Sequence, residues 1–157
     1  MAESETDTSA HIRLARQDDR TAVDGVVDAA YSRYVPLIGR KPGPMLDDYA
    51  ALIRESRVHV LEADRVVRGV LVLIPEGATM LLDNIAVHPT SQGRGYGRAL
   101  LEFAERAAGA AGCRVIPLYT NEVMTENVSL YGRHGYVETH RTTENCYRRV
   151  FMRKELQ

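Results

Sequence analysis

The chain has 157 residues, 20 Lys plus Arg against 21 Asp plus Glu, 45% apolar residues and no Trp, which is room for one core and not for two. At this length roughly 70% of the surface of the unfolded chain is buried on folding, so neither disulfides nor a metal is needed to hold the core. A formal net charge of −1 leaves no basic excess for neutralising phosphates, which excludes a general nucleic-acid binder, and the longest apolar run, Val70 to Ile74, falls far short of the roughly 18 residues of a membrane span.

The N-terminal stretch MAESETDTSA is acidic and polar, unlike a secretory or transit peptide. It reads as a disordered leader over residues 1–10, ahead of a single domain over 11–157, and the whole as a cytoplasmic protein. Cys113 and Cys146 stand 33 positions apart in no CxxC or Cys/His cluster. No metal site is expected, and both thiols are expected to be buried.

His11 to Ala15 alternates as a first strand. Asp18 or Asp19 is placed to cap a helix in which Val23, Val26, Val27, Ala30 and Tyr34 recur at helical spacing, ending before Pro36. In LIGRKPGPM, Gly39, Pro42, Gly43 and Pro44 predict an irregular loop, followed by a short helix from about Asp47 to Glu55. Arg57 to Glu62 and Val66 to Ile74 read as strands joined by a turn at Ala63 to Arg65, and a further turn at Pro75 to Gly77 leads to a strand at Thr79 to Val87. Gly97 to Ala111 reads as a helix closed by Gly112. A buried strand at Val115 to Thr120, a short helix at Asn127 to His134 stopped by Gly135, and closing strands at Tyr136 to Arg141 and Tyr147 to Arg153 complete the order. That mixture predicts an α/β domain with a mixed, mostly antiparallel central sheet and helices on both faces.

The segment richest in chemistry is NIAVHPTSQGRGYGRALL, residues 84–101. It is a strand, a proline-bounded turn, glycines at 93, 95 and 97, and a helix start. Glycines let a backbone approach an anion closely, and the open N–H groups of a helix start favour negative charge, so this is a phosphate cradle. The spacing fails both GxGxxG and the P-loop GxxxxGK[ST], which removes the case for dinucleotide or nucleoside-triphosphate chemistry.

Gln92, Gly93, Arg94, Gly95, Tyr96 and Gly97 resemble the Q/R-x-x-G-x-G/A signature of the GNAT (Gcn5-related) N-acetyltransferases. Asn127, Leu130, Tyr131, Gly135 and Tyr136 in ENVSLYGRHGY are similar to that family's N-x-x-x-x-Y-x-x-x-G-F/Y segment, with one residue fewer between Asn127 and Tyr131, and the element order matches from His11 to about Glu155. The resemblance implies acetyl-CoA as cofactor, its pyrophosphate on the backbone N–H groups of Gly93 to Arg98 with Arg94 and Arg98 adding charge. It also implies that the pantetheine arm pairs with free backbone groups of Ile85, Ala86 and Val87, and that Asn127 flanks the arm. Tyr131 would be the general acid at the thioester sulfur.

Such chemistry fits a tyrosine. With reference pKa values of roughly 8.5 for a thiol and 10 for Tyr, full proton transfer is uphill by about 2 kcal/mol in water, so donation would accompany bond cleavage. The N–H of Val87 would polarise the carbonyl oxygen as charge develops there. An amine also needs a base; Asp83, by a period of two on the face of Ile85 and Val87, and Glu122, after the next strand, are the candidates, either acting through water. The acceptor is expected over the first two helices and their loop, near Tyr31, Tyr34, Arg40, Lys41, Met45 and Tyr49. A cation pair beside three tyrosines there would suit a small amine that also carries an anion. The acceptor class is thus a small-molecule or protein amine. The alternative is a non-catalytic acyl-CoA-binding module on the same fold. A homodimer is expected through Val137, Val150 and Phe151 on the closing strands.

Overall fold

The structure, a computed structural model, describes residues 10–157, so the expected leader lies, except for Ala10, outside the described residues. Seven strands form one sheet in the order β1-β2-β3-β4-β5-β7-β6: β1 His11–Leu14, β2 Val58–Ala63, β3 Val66–Glu76, β4 Thr79–Val87, β5 Val115–Asn121, β6 Val137–Glu144 and β7 Tyr147–Glu155. Every neighbouring pair is antiparallel except β4 and β5, which run parallel. Helices α1 Arg20–Tyr31 and α2 Tyr49–Arg54 cover one face, and α3 Tyr96–Ala110 and α4 Thr125–Arg133 the other.

Alternation explains the two cores. Val58, Val60, Val70 and Val72 face Val23, Val27, Tyr31, Tyr49 and Ile53 under α1 and α2, while Leu61, Leu71 and Leu73 face Leu100, Leu101, Ala104 and Ala108 on α3. The hairpins turn on two-residue loops with positive φ at both positions, Asp64 (54°) with Arg65 (64°) and Asn145 (52°) with Cys146 (69°), the geometry that matches strand twist. Cys146 therefore sits exposed at a turn tip, against the expectation of two buried thiols; Cys113 is buried.

The sequence placed some boundaries differently. Asp19 does not cap α1: its carboxylate accepts from the Arg16 N–H at 2.7 Å and from Arg13 at 2.8 and 3.1 Å, holding a 3-10 turn at Gln17–Asp19 that precedes the helix. The loop expected after Tyr34 holds an α-turn at Val35–Ile38 and a 3-10 turn at Gly43–Leu46. Proline is tolerated in a first turn, where its missing N–H is not needed, and Gly39 closes the first of them at φ 90°. Asp48, not Asp47, caps α2, accepting from the Ala51 N–H at 3.1 Å. On the closing strands Val150 is fully buried in the core and Val137 lies exposed on β6 at the sheet edge, so the two cannot share the outward patch proposed for a dimer.

Candidate functional site

β4 and β5 are in register at Thr79–Val115 and Leu82–Leu118, and their pairing goes no further. Beyond Leu82 the carboxyl ends of the two parallel strands part, the position at which open sheets hold ligands. A β-bulge starts the divergence. Val72 pairs with Asn84 and Leu73 with Leu82, leaving Asp83 as the extra residue on β4. The bulge breaks the period of two, so that Leu82 and Ile85 lie in one core while Asn84 turns to Tyr31 and Tyr49 on the opposite face. Asp83 accordingly does not share its face with Ile85 and Val87: it lines one cavity and they line another.

The first space is a cleft lined by Arg33, Ile85, Val87, Gln92, Gly97, Asn127 and Leu130, among others. The His88 N–H bonds the Arg68 carbonyl of β3 at 2.9 Å, so by alternation the backbone of Ala86 also faces β3, and Ile85 and Val87 face the gap. Ala86 therefore offers nothing to a ligand in the cleft. The Ile85 carbonyl is already approached by the Tyr31 hydroxyl at 3.0 Å and that of Val87 by Gln92 Nε2 at 3.4 Å, which leaves the two N–H groups turned to the gap. Arg33 and Glu126 form an ion pair beside the same cleft.

At the end of the cleft stands the glycine turn. Gly93 and Gly95 have φ of 84° and 82°, and a Cβ placed on either would meet no atom within 4 Å. The first helical bond of α3 joins the Ala99 N–H to the Gly95 carbonyl, and the N–H groups of Tyr96, Gly97 and Arg98 have no backbone partner among the described residues. An open, glycine-lined helix start of this kind fits a pyrophosphate. Side chains contribute less than the sequence suggested. Tyr96 is buried in the core, Arg98 pairs with Glu102 at 3.1 Å, and Arg94 lines a separate groove with Ala10 and Ile12.

On the other side of the gap lies a cavity of about 200 Å³ whose wall includes Tyr31, Asp47, Asp83, Tyr119, Tyr131 and Arg149. Tyr131 is 4% exposed, its ring is 5.8 Å from that of Tyr136, and its hydroxyl has no hydrogen-bond partner among the described residues. Burial raises its pKa well above the usual phenol value, so it keeps its proton at neutral pH. Asp47 is exposed as a whole residue, yet crowding of its carboxyl, and then the charge of Asp83, raise its pKa to about 6. Asp83 is raised as well, by burial first and Glu76 second. Behind this wall Asn84 is a junction, with Oδ1 at 2.6 Å from the Tyr31 hydroxyl and Nδ2 donating to that of Tyr49 at 2.9 Å.

Of the residues expected around an acceptor, Tyr31 lines the cavity. Tyr34 and Tyr49 are core residues, whose hydroxyls serve Arg33 at 2.7 Å and the Pro44 carbonyl at 2.6 Å. Arg40 is held outside, donating to the Asn145 carbonyl at 3.0 Å with its guanidinium 5.0 Å from the Tyr147 ring centre. Lys41 and Met45 line a different depression. Glu122 does not line the cavity and faces Arg148 at 3.3 Å and Arg141 at 3.7 Å. Sequence reasoning missed Asp47, Tyr119 and Arg149. The signal available for Tyr119 was its place near the carboxyl end of a parallel strand; Asp47 and Arg149 had none, because only the fold brings their loop and strand to the gap.

Among curated proteins none matches the chain. Solved structures match its fold over nearly its whole length. The PaiA N-acetyltransferase of Thermoplasma acidophilum, in complex with coenzyme A, is 17% identical with a TM-score of 0.80, over 94% of this chain and 99% of that one. The ribosomal-protein alanine N-acetyltransferase of Escherichia coli is 18% identical with a TM-score of 0.76, over 94% of both chains. YncA of Salmonella typhimurium, a putative acetyltransferase with acetyl-CoA, is 21% identical with a TM-score of 0.71, over 94% of both. A sequence profile described as an acetyltransferase (GNAT) domain matches residues 54–138, from the end of α2 to the start of β6. With more than half of its length matched, this chain belongs to the GNAT acetyltransferase family.

Proposed function

We propose that this protein transfers the acetyl group of acetyl-CoA to a primary amine by direct attack, with both substrates bound at once. The observation that carries the reading is the meeting of two spaces at the gap between β4 and β5, one ending in a glycine-lined helix start and the other walled by two carboxylates and a tyrosine with a free hydroxyl. Two solved relatives of the same fold, described above, hold coenzyme A or acetyl-CoA.

The backbone N–H groups from Gly93 to Arg98 hold the pyrophosphate, those of Ile85 and Val87 hold and polarise the acyl end, and Asn127 flanks the arm. Bound there, acetyl-CoA supplies an acetyl group as a thioester, so that transfer forms a C–N bond, breaks the C–S bond and leaves a thiol. Tyr131 holds the proton that the sulfur requires. Its raised pKa widens the uphill gap to a thiolate, so the proton moves as the bond breaks and not before. Asp47 takes the proton of the amine, with a pKa of about 6 that leaves it mostly ionised at pH 7 yet basic enough to accept. Asp83, beside it in the cavity wall, keeps the site negative toward an incoming ammonium. Glu122, tied to two arginines outside the cavity, has the weaker claim to that role.

Release of coenzyme A thiol, followed with acetyl-CoA and a panel of amines, tests the reading. Amine-dependent release supports it. Tight acetyl-CoA binding with no release across the panel would support the alternative of a non-catalytic acyl-CoA-binding module.

A further inference from the structure

The carboxylates do not account for the whole acceptor cavity. Arg149, on β7, lines it with its side chain 22% exposed. Its guanidinium lies 4.6 Å from the ring centre of Tyr119 and 5.7 Å from that of Tyr147. One of its donors is used, Nη1 to Glu144 Oε1 at 2.7 Å, and the rest have no partner among the described residues. Glu144 is on β6 with a side chain 50% exposed. A half-exposed counter-ion of that kind contributes little and yields to a competing carboxylate in a less solvated place. The stacking on Tyr119 presents the guanidinium fork as a fixed plane, which suits bidentate recognition of a carboxylate.

The two signs of charge sort the acceptors. Asp47 and Asp83 alone would suit any alkylammonium, a diamine best of all. A guanidinium in the same small cavity repels a second ammonium and attracts an anion. Asp47, Asp83 and Arg149 line the same cavity, with Tyr119 in its wall under the guanidinium, so the opposite charges face one compact volume. We propose that Arg149 is an anion subsite and that the acceptor is an amino acid, its amine at Asp47 and Asp83 and its carboxylate on the guanidinium. The assignment rests on the acetyl-transfer reading above and narrows its substrate class.

The test is thiol release from acetyl-CoA with α- and ω-amino acids, the monoamines and diamines of matching chain length, and short peptides. Amino acids should exceed the matched monoamines in kcat/KM by about tenfold or more, and Arg149→Gln should lower that ratio by about tenfold to a hundredfold, the range for a hydrogen bond to a charged group. Glu144→Gln, which removes the competing carboxylate at an exposed position, should raise the ratio. These opposite signs separate recognition from packing, and the second variant keeps the test alive should the first fail to fold. A preference for diamines or for peptides, or a ratio that neither variant moves, overturns the amino-acid assignment and leaves acetyl transfer standing. No release with any amine overturns both.

Discussion

At the scale of single residues, Asp47 makes the sharpest claim. A base with a pKa of about 6 must be ionised to act, so kcat/KM should fall as the pH drops through about 6, and Asp47→Asn should remove that limb together with most of the activity. Stability moves the other way. The pKa is raised from the ordinary carboxylate value of 3.8, so the folded state binds the proton more tightly than the unfolded one, and the charge costs stability as pH rises through about 6. Asp47→Asn should then melt higher than the parent near pH 8, with the difference vanishing below pH 4. Equal melting temperatures at all pH values would deny that the carboxyl is crowded. Such a trade of stability for a working charge is common at active sites. Asp83, in contrast, was legible from its strand, but its face was not, because a bulge cannot be read from alternation that it interrupts.

Among the elements, the glycine turn and the start of α3 were the most legible, because φ of 84° and 82° and an open helix end leave a residue-type signature in the chain. The same geometry sets the cost of changing it. Gly95→Ala should destabilise by about 1–2 kcal/mol through left-handed backbone strain alone, since the added carbon meets no neighbour. Gly95→Val adds bulk at the proposed pyrophosphate site. In a folded Gly95→Val protein the melting shift produced by acetyl-CoA should be mostly lost, and undiminished affinity would place the cofactor elsewhere. That Ile85 and Val87 keep free backbone groups was legible only through the resemblance. That the pairing ends at Leu82 and Leu118 follows from strand divergence over a distance that no local pattern encodes. Leu100 shows the opposite case: helical spacing put it inward, and it is fully buried in the core beneath β3 and β4. Leu100→Ala should cost about 2–5 kcal/mol in a denaturant titration.

Taken as a whole molecule, the two binding spaces share β4 and α4, which give Asp83 and Tyr131 to the cavity and Ile85, Val87 and Asn127 to the cleft. The cleft adds the glycine turn, and the cavity adds the Gly/Pro loop, β5 and β7. No helix among the described residues is long and apolar enough to cross a membrane. Acetyl-CoA at 100 times its dissociation constant should stabilise the fold by roughly 2.7 kcal/mol, a shift in melting temperature that needs only the cleft. Turnover needs both spaces and the residue between them. Phenylalanine at position 131 keeps the ring packed against Tyr136 but removes the proton. The most direct measurement is therefore turnover of Tyr131→Phe on acetyl-CoA and on an acetyl thioester of a more acidic thiol, with the affinity for acetyl-CoA measured alongside. Affinity should be unchanged, with a loss of about 10²- to 10⁴-fold on acetyl-CoA and a smaller loss on the activated thioester, whose leaving group needs less protonation. An equal loss on both, or no loss on either, would contradict Tyr131 as the general acid.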